Sequence, residues 1–299
     1  ACLVGSEMCI RDRISVIIPS FNRKKLLQRA LESVFRQTYL PHEVIVVDDC
    51  SGDDTQQLTN LFPIRYFKNF QNMGVSFSRN YGVAQSTGTY VAFLDSDDEW
   101  VKSKLMDQVG DIERTEGTYP LYHTNETWLK NGSHLNQHKK HEKFGGFVFE
   151  KLLPFCLISP SSVCIKKTVF EELSGFDEQM MVCEDYDFWL RLGVKYPIYY
   201  NPNKLLIKHG GHLDQLSQKY WGMDKWRVYS LLKVRSTWKS SLSPSQLRCL
   251  DESLLEKVEV LRQGFAKRGK IDEVQLLNEI SHKVEVNHSD LSHLCYSSF

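Results

Sequence analysis

Short apolar runs alternate with amphipathic stretches over the first third of the chain. The apolar runs are rich in Val, Ile and aromatic residues, which is typical of buried parallel strands. They lie at residues 14–19, 43–47, 64–67 and 90–94. Between them, apolar residues recur at helical spacing in residues 22–37 and 74–85, and a shorter helix is predicted at residues 55–61. Strands separated by helices predict an α/β protein with a largely parallel sheet.

The remainder of the chain has a less regular pattern. A helix is predicted at residues 100–116, and the polar stretch at residues 131–146 predicts a surface loop. Strands are predicted at 120–128, 161–165, 198–200 and 205–207, and helices at 168–173, 183–194, 218–234, 244–268 and 271–284. We therefore expect one α/β domain over residues 14–215, followed by a helical extension over residues 216–299.

The predicted domain does not include residues 1–13. Within them, residues 3–12 resemble the translation of an adapter used in sequencing libraries, and they lack the long apolar segment of a signal peptide. We expect this segment to be an artefact and the domain to start near Ile14.

Composition and charge exclude several classes of protein. The 299 residues are 41% hydrophobic and 25% charged, as in ordinary globular proteins. The 37 basic and 37 acidic residues cancel, so the chain lacks the basic field of a nucleic-acid-binding protein. No apolar run reaches the roughly 18 residues of a transmembrane helix, which still leaves room for peripheral membrane contact. The eight cysteines lack metal-binding spacing, which predicts reduced thiols and a cytoplasmic protein.

Acidic residues follow two of the predicted strands, at the position where ligands bind in open α/β sheets. Asp48 and Asp49 follow the second strand, and Asp95 and Asp97 follow the fourth. Because residues i and i+2 of an extended segment point to the same side, Asp95 and Asp97 can face one hard divalent cation. One of Asp48 and Asp49 can accept a hydrogen bond from a base or a ribose. The alternative for both pairs is that they only cap the helices that follow.

Five further residues carry candidate chemistry. Arg79 offers forked donors for a phosphate or a base, or it is an ordinary surface arginine. Glu184 and Asp185 precede an apolar helix face, so either they cap that helix or Asp185 acts as a general base. His209 and His212 lie in a glycine-containing loop after a strand, and they are either metal ligands or surface residues.

Taken together, these segments resemble the family-2 glycosyltransferases of the GT-A fold. The matching segments are VIIPSFNR at residues 16–23, VVDDCSGD at 46–53, SRNYG at 78–82, GTYVAFLDSDD at 88–98 and EDYDFWLRL at 184–192. Each segment is a weak signal alone, but their order is highly specific, and the resemblance covers about residues 14–215. It implies a Rossmann-like GT-A fold with a mostly parallel central sheet.

The resemblance implies an inverting transferase that moves a sugar from a nucleotide-diphosphate donor, here expected to be a UDP-sugar, to a hydroxyl acceptor. A glycan or a lipid-linked sugar is the expected acceptor, and the inner face of the membrane is a compatible location. Arg79 would contact the nucleotide by motif match. The base and ribose would be held by Pro19, Ser20, Asn22, Asp48 and Asp49.

The resemblance also implies a metal ion and a catalytic base. Mg²⁺ or Mn²⁺ would bind the diphosphate. Its ligands would be Asp97, Asp95 and His212. His209 is the fallback for His212, because the loop departs from the usual Arg-x-His pattern of the family. Asp185 would be the base, supported by Glu184.

Two other functions are alternatives to sugar transfer. A nucleotidyltransferase has a related sheet, but it usually carries a Gly-rich phosphate loop after the first strand, and SFNR at residues 20–23 is not Gly-rich. A degenerate protein that only binds sugar nucleotides is disfavoured because the acidic residues are intact.

Overall fold

The computed structural model describes residues 13–211 and 222–286, which form two compact units. Described residues within 13–146, 158–178 and 197–211 form the first unit, and those within 147–157, 179–196 and 222–286 form the second. Two segments that the sequence assigned to the α/β domain, 147–157 and 179–196, therefore group with the C-terminal helices. The predicted division after residue 215 falls outside the described residues and stays a prediction.

The first unit is built on a mixed, largely parallel sheet, which confirms the predicted fold class. Its parallel half has the spatial order β3-β2-β1-β4. These strands are β1 (Ile14–Ser20), β2 (Glu43–Asp48), β3 (Arg65–Lys68) and β4 (Tyr90–Phe93). Every residue of β1 is buried, because helices and neighbouring strands cover both of its faces. The apolar run in the sequence is therefore continuous rather than alternating.

Beyond β4 the sheet continues with strands of mixed direction. These are β5 (Glu99–Trp100), β6 (Leu121–Lys130), β7 (Ser133–Leu135), β8 (Val163–Lys166) and β9 (Ile198–Gly210). Their order is β4-β8-β6-β9-β5, and β7 pairs with β6. Strand β8 is antiparallel to both neighbours, β9 is parallel to β6, and β5 is antiparallel to β9. The acidic segment after β4 therefore leads directly to a strand beside β9.

Helices flank the sheet in the first unit and build the second unit. In chain order they are α1 (Lys24–Phe35), α2 (Val75–Gln85), α3 (Lys104–Arg114), α4 (Phe149–Leu152), α5 (Lys167–Glu172), α6 (Glu184–Lys195), α7 (Asp224–Trp238), α8 (Pro244–Ala266) and α9 (Ile271–Glu285). Helix α1 buries Leu27, Leu31 and Val34 in the same core as the side chains of β1 and β2. This apolar stripe is the one that the helical spacing predicted.

The helix predicted at residues 100–116 begins only at Lys104. The cause is the pairing of Trp100 with Leu206 of β9, which draws the preceding residues into the sheet. The two strands predicted at 198–200 and 205–207 are a single strand, β9.

The surface loop predicted at residues 131–146 contains β7, which forms a hairpin with β6. Asn131 and Gly132 make the two-residue turn, with φ of 50° and 78°. Asn-Gly is the preferred pair for such a turn, because both positions need positive φ. The sequence therefore held a hairpin signal that the polar composition of the segment obscured.

The second unit confirms a helical C-terminal region. Helix α8 begins with a capping box, in which the Ser243 hydroxyl accepts from the backbone of Gln246 and the Gln246 side chain accepts from the backbone of Ser243. Its buried face packs with that of α9. The buried residues of the two helices are Leu250, Leu254, Val258, Leu261, Phe265, Leu277, Ile280 and Val284. Within residues 13–211 and 222–286, no helix combines the length and the apolar character needed to cross a membrane.

Candidate active site

The acidic pair at the end of β2, Asp48 and Asp49, is buried and bonded to the protein itself. Asp49 accepts three hydrogen bonds, from Asn69 Nδ2 at 2.8 Å, from the backbone N–H of Met73 at 2.7 Å and from that of Gly74 at 2.9 Å. Asp48 accepts from the backbone N–H of Ser51 at 2.8 Å. Asp49 thus fixes the loop that leads into α2, a helix more than twenty residues further along the chain, rather than the helical turn that follows it.

The loop after β1 is tied to the loop after β2. The backbone N–H of Asn22 donates to Ser51 Oγ at 2.8 Å, and Asn22 Oδ1 accepts from the backbone N–H of Gly52 at 2.8 Å. Asn22 has φ of 52°, which asparagine tolerates better than most residues. Ser20 lies at the end of β1, after Pro19, and its buried hydroxyl has no hydrogen-bond partner among the described residues. A ligand hydroxyl or base would satisfy it.

The acidic residues after β4 are held by arginines. Arg79 Nη2 lies 2.6 Å from Asp95 Oδ1, and Arg23 Nη1 lies 3.0 Å from Asp97 Oδ2. The Arg79 side chain is only 4% exposed, and its guanidinium also lies over the Phe176 ring. The reading of Arg79 as an ordinary surface arginine is therefore wrong.

Two neighbours of that pair, Asp98 and Glu99, have different partners. Asp98 Oδ2 accepts from the Ser161 hydroxyl at 2.7 Å, and Asp98 Oδ1 accepts from the backbone N–H of His209 at 3.3 Å. Ser161 Oγ also accepts from the backbone N–H of Asp95 at 3.0 Å. Glu99 pairs with His209 Nε2 at 2.7 Å. Residues of β9 and of the turn before β8 therefore hold the acidic segment after β4 in place.

Burial and the proximity of these carboxylates to one another shift their pKa values. Burial acts to raise the pKa of Asp95, but the charges of Arg79, Lys208 and Arg23 together, with Arg79 contributing most, keep that pKa below its usual range. Burial and the neighbouring Asp95 charge raise the pKa of Asp97 despite Arg23. Burial raises the pKa of Asp98 well above its usual range. An additional cation would therefore be stabilised beside Asp95 and Asp97.

Asp95 and Asp97 fit a cation of the Mg²⁺ type. Such an ion commonly uses one or two carboxylates and takes its other ligands from water and phosphate oxygens. Asp95 is 30% exposed and its Oδ2 carries no hydrogen bond from the described residues, so it can reach a ligand. Within residues 13–211 and 222–286, no cluster of three or more His, Cys, Asp or Glu side chains could hold a metal ion. Of the three predicted ligands, the structure describes Asp95 and Asp97, and His212 lies outside the described residues.

The predicted base and its neighbour belong to the second unit, at the start of α6. Asp185 Oδ1 accepts from the backbone N–H of Tyr186 at 2.7 Å, and the Cys156 thiol lies 3.2 Å from Asp185 Oδ2. Glu184 is buried. A helix N-terminus favours negative charge, which suits a carboxylate that must accept a proton. The catalytic roles of Asp185 and Glu184 stay predictions.

Comparison with known families decides the class of the chain. The model of the family "Glycosyl transferase family 2" matches residues 15–171. The chain belongs to glycosyl transferase family 2. The resemblance inferred from the sequence motifs is thereby confirmed.

Curated relatives of this family-2 chain include bacterial glycosyltransferases. The amylovoran biosynthesis glycosyltransferase AmsB of Erwinia amylovora is 29% identical over 275 residues, which cover 84% of the chain and 90% of AmsB. The Escherichia coli UDP-Glc:alpha-D-GlcNAc-diphosphoundecaprenol beta-1,3-glucosyltransferase WfaP is 29% identical over 186 residues, covering 60% of the chain and 70% of WfaP. An uncharacterized glycosyltransferase of Rickettsia felis is 33% identical over 187 residues, which are 61% of the chain but only 30% of that relative. The chain thus spans less than a third of some relatives.

A solved structure supports the GT-A fold of the family-2 chain. The crystal structure of Staphylococcus aureus TarS 1-349 in complex with UDP-GlcNAc superposes with a TM-score of 0.62, and the match covers 92% of each chain. At 16% sequence identity, this likeness shows the fold alone.

Several residues of this family-2 site were not singled out from the sequence. Arg23 lies inside a matching motif, which was a signal for it. Ser161 had no local signal, because its partner Asp98 is 63 residues away along the chain. Lys208 is the third: its Nζ lies 3.1 Å from Ser159 Oγ, and its charge acts on Asp95, Asp97 and Asp98. Its signal was weak, since it is a single lysine at the end of a strand.

Proposed function

We propose that this chain transfers a sugar from a nucleotide-diphosphate donor, taken to be a UDP-sugar, to a hydroxyl acceptor with inversion at the anomeric carbon. The observation that carries the proposal is the pair Asp95 and Asp97 at the end of β4, each held by one arginine. The family-2 membership and the UDP-sugar in the name of WfaP support the donor class.

Donor binding would use the edge formed by the loops after β1, β2 and β4. Ser20, with its unsatisfied buried hydroxyl, and Asn22 would contact the nucleoside beside Pro19. Asp48 and Asp49 would shape this part of the site, because their hydrogen bonds fix the loops around it. Their direct contact with base or ribose remains part of the proposal.

The diphosphate would lie by the acidic segment. Mg²⁺ or Mn²⁺, when bound, would neutralise the charge that develops on the leaving diphosphate. Asp97 and Asp95 would hold the ion, with His212 as the third contact. Arg79 and Arg23 keep the two carboxylates in position, so the pair does not have to reorganise when the donor arrives. Arg79 would also contact the nucleotide, because a guanidinium offers forked donors to a phosphate or a base.

The transfer step would be a single displacement. Asp185 accepts the proton of the acceptor hydroxyl, the oxygen of that hydroxyl forms a bond to the anomeric carbon, and the bond from that carbon to the diphosphate oxygen breaks. The nucleoside diphosphate leaves with the electron pair. Glu184 supports Asp185 at the N-terminus of α6, where the helix favours the charged carboxylate.

The names of two relatives support the acceptor class. WfaP is named for transfer to a sugar on a diphospholipid, and AmsB for biosynthesis of a polysaccharide. A glycan or lipid-linked acceptor at the cytoplasmic face of a membrane is therefore proposed for this chain. Residues 14–215 would form the transferase domain and residues 216–299 a helical extension.

A thermal-shift panel of nucleotide sugars, with and without Mn²⁺, tests the proposal. We expect a UDP-sugar to raise the melting temperature of the wild type when Mn²⁺ is present. Asp97→Ala should lose this shift, because it removes one carboxylate of the metal pair. Asp185→Asn should keep the shift and lose sugar transfer, because the amide cannot accept the proton.

The products identify the reaction class in the same experiment. Release of UDP from a UDP-sugar supports transfer, whereas release of pyrophosphate from UTP and a sugar phosphate would indicate a nucleotidyltransferase. Binding without any turnover would indicate a protein that only binds sugar nucleotides. Loss of the thermal shift in both variants, or in neither, would contradict the division of roles between Asp97 and Asp185.

A further inference from the structure

The carboxylate of Asp185 is held by a thiol as well as by its own helix. Cys156 Sγ lies 3.2 Å from Asp185 Oδ2, while Asp185 Oδ1 accepts from the backbone N–H of Tyr186 at 2.7 Å. Because an ionised carboxylate only accepts hydrogen bonds, the thiol is the donor of the first bond. The two bonds reach different oxygens and so fix the rotation of the carboxylate. Cys156 lies in the loop at residues 153–157, after α4, which we call the thiol loop.

The thiol loop is fixed by two helices of the second unit. The Tyr186 hydroxyl, on α6, donates to the backbone oxygen of Leu153 at 2.5 Å. Lys257 Nζ, on α8, donates to the backbone oxygen of Pro154 at 2.8 Å. Tyr186 and Leu153 are both buried. The loop that carries the thiol is therefore held in place before any substrate binds.

A second cysteine, Cys183, lies two residues before Asp185 but donates to a different acceptor. Its thiol donates to the backbone oxygen of Met223 at 3.9 Å. Burial, followed by the charge of Asp185, raises the pKa of Cys183 to about 12, so it stays a neutral thiol. The cysteine that donates to the carboxylate is therefore Cys156.

Charged groups of three helices lie near these two cysteines. They are Glu184 on α6, Asp224 and Arg227 on α7, and Lys257 on α8. Arg227 Nη1 pairs with Asp224 Oδ1 at 2.8 Å, and the Arg227 charge acts on Cys156. Substitution of Cys156 leaves all four groups in the chain. A change in the pH dependence of a Cys156 variant therefore reports the bond of the thiol.

We infer that Cys156 is a positioning residue, which orients the carboxylate of Asp185 toward the acceptor hydroxyl. The inference rests on the proposed function, in which Asp185 accepts the proton of that hydroxyl. A base whose rotation is fixed presents the same oxygen to each incoming hydroxyl. A thiol is a weak donor, so it orients the carboxylate while reducing its basicity less than a hydroxyl would.

Steady-state release of UDP by the full chain tests the inference. The donors are UDP-glucose, UDP-galactose and UDP-GlcNAc with Mn²⁺, water takes the place of the acceptor hydroxyl, and the donor that the wild type turns over fastest is kept for all variants. Cys156→Ala should lower kcat about fivefold and leave the KM for the donor unchanged, because it removes one hydrogen bond to the base. Cys249→Ala, the same change at another half-buried cysteine of the second unit, is the matched control and should keep the wild-type kcat.

The pH dependence of kcat separates positioning from a merely structural role. A hydrogen bond to the charged form of an acid favours that form, so its loss in Cys156→Ala should move the acidic midpoint of the kcat profile to higher pH. Cys156→Ser keeps a donor, and a stronger one, so it should restore most of kcat and move the same midpoint to lower pH. A structural defect alone would lower kcat in both variants without moving the midpoint in opposite directions.

Alkylation by iodoacetamide, followed by mass spectrometry, tests the contact without any turnover. The thiolate is the reactive form of a cysteine, and the charge of Asp185 beside the sulfur disfavours it. Asp185→Asn should therefore speed the alkylation of Cys156 about tenfold. The same substitution should leave the alkylation rate of Cys249 unchanged.

Two results would overturn the inference. They are a wild-type kcat in Cys156→Ala and equal alkylation rates of Cys156 in the wild type and in Asp185→Asn. The proposed function fails on different results, namely no release of UDP by the wild type from any of the three donors, or a wild-type kcat in Asp185→Asn. Either of these also removes the positioning role of Cys156. Turnover by the wild type that is lost in Asp185→Asn but kept in Cys156→Ala contradicts the inference alone.

Discussion

The two strands on either side of β1 both end in a pair of acidic residues, but the two pairs differ in what they bind. Asp48 and Asp49, at the end of β2, accept hydrogen bonds from backbone and side-chain donors of their own unit. Asp95 and Asp97, after β4, are each held by one arginine and remain partly exposed. Position at the end of a parallel strand therefore does not decide the role of a carboxylate. The number of internal donors that it satisfies is the better guide.

The same comparison predicts how each acidic pair affects the free energy of unfolding. A buried carboxylate with several internal donors stabilises the fold, because its loss leaves those donors unsatisfied. A buried carboxylate beside another acidic residue lowers the stability of the fold when it is ionised, and a bound cation offsets that loss. The first pair should thus control stability, and the second should control ligand binding.

The largest expected effect is the loss of stability in Asp49→Asn. The amide nitrogen of Asn would face the backbone N–H of Met73 or Gly74, so donors would oppose donors where the carboxylate now accepts. We expect the free energy of unfolding to fall by about 3 kcal/mol. Urea unfolding followed by circular dichroism measures it.

Asp97→Asn is the matched change in the other pair. Because burial and the charge of Asp95 raise the pKa of Asp97, removing its negative charge relieves repulsion. The free energy of unfolding should change by less than about 1 kcal/mol. Equal losses of stability in Asp49→Asn and Asp97→Asn would break the comparison between the two pairs.

Arg79→Met should give the next largest effect. The variant leaves Asp95 without its cation in a mostly buried place, and we expect a loss of about 2 kcal/mol at neutral pH. Arg79 lowers the pKa of Asp95, so its stabilising effect is present above the ordinary pKa of 3.8 and is lost as the pH falls through the lower pKa of the folded state. The difference in the free energy of unfolding between the wild type and Arg79→Met should therefore become smaller as the pH falls below 3.8.

Arg29→Met is the control for that change. Arg29 Nε lies 3.3 Å from Glu99 Oε1, but the Arg29 side chain is 31% exposed, against 4% for Arg79. Such a pair contributes less than about 1 kcal/mol. The difference in the free energy of unfolding between the wild type and Arg79→Met could instead stay constant from neutral to acid pH. That result would show that the packing of Arg79 on Phe176, and not its charge, stabilises the unit.

The fold could be predicted further from the sequence than the site could. Continuous apolar runs fix buried parallel strands, because such strands have no polar face, and this located β1, β2 and β4 within a residue or two. The motifs that indicated the family lie at the ends of these strands. Their order along the chain sufficed to indicate the family.

The partners of the site residues could not be predicted, because tertiary structure sets them. Asp49 bonds to residues 20 to 25 positions away, and Asp98 to one that is 63 positions away. Nothing in the local sequence distinguishes these two acids. The hairpin at Asn131 and Gly132 is a different case, since its turn signal was present in the sequence.

A buried lysine that is bonded to an amide rather than to a carboxylate tests the same relation between burial and stability for a positive charge. Lys104 is fully buried, donates to Gln108 Oε1 at 2.7 Å and lies over the Trp100 ring. Burial lowers its pKa from 10.5 to about 7. Between these values the unfolded chain binds the proton and the folded chain does not, so stability should rise with pH across this window.

In Lys104→Met this contribution should disappear. The slope of the free energy of unfolding against pH, about 1.4 kcal/mol per pH unit from this residue, should be lost between pH 7 and 10.5. Lys102→Met, on the exposed side of the same segment, is the control and should keep the slope. An unchanged slope in Lys104→Met would mean that the ammonium is solvated in the folded protein.

The smallest effect is expected for Ser20→Ala, and it separates ligand contact from stability most directly. The buried Ser20 hydroxyl has no partner among the described residues, so its removal should change the free energy of unfolding by less than about 0.5 kcal/mol. Ser15, on the same strand, is the matched control: its hydroxyl donates to Glu43 at 2.7 Å and accepts from the backbone of Gly88 at 2.9 Å, so Ser15→Ala should cost about 1 to 2 kcal/mol. UDP affinity with Mn²⁺, measured by calorimetry, should fall about fivefold in Ser20→Ala and stay at the wild-type value in Ser15→Ala. Unchanged affinity in Ser20→Ala would remove Ser20 from the nucleotide site, because a hydroxyl that binds neither the protein nor the ligand has no part in either.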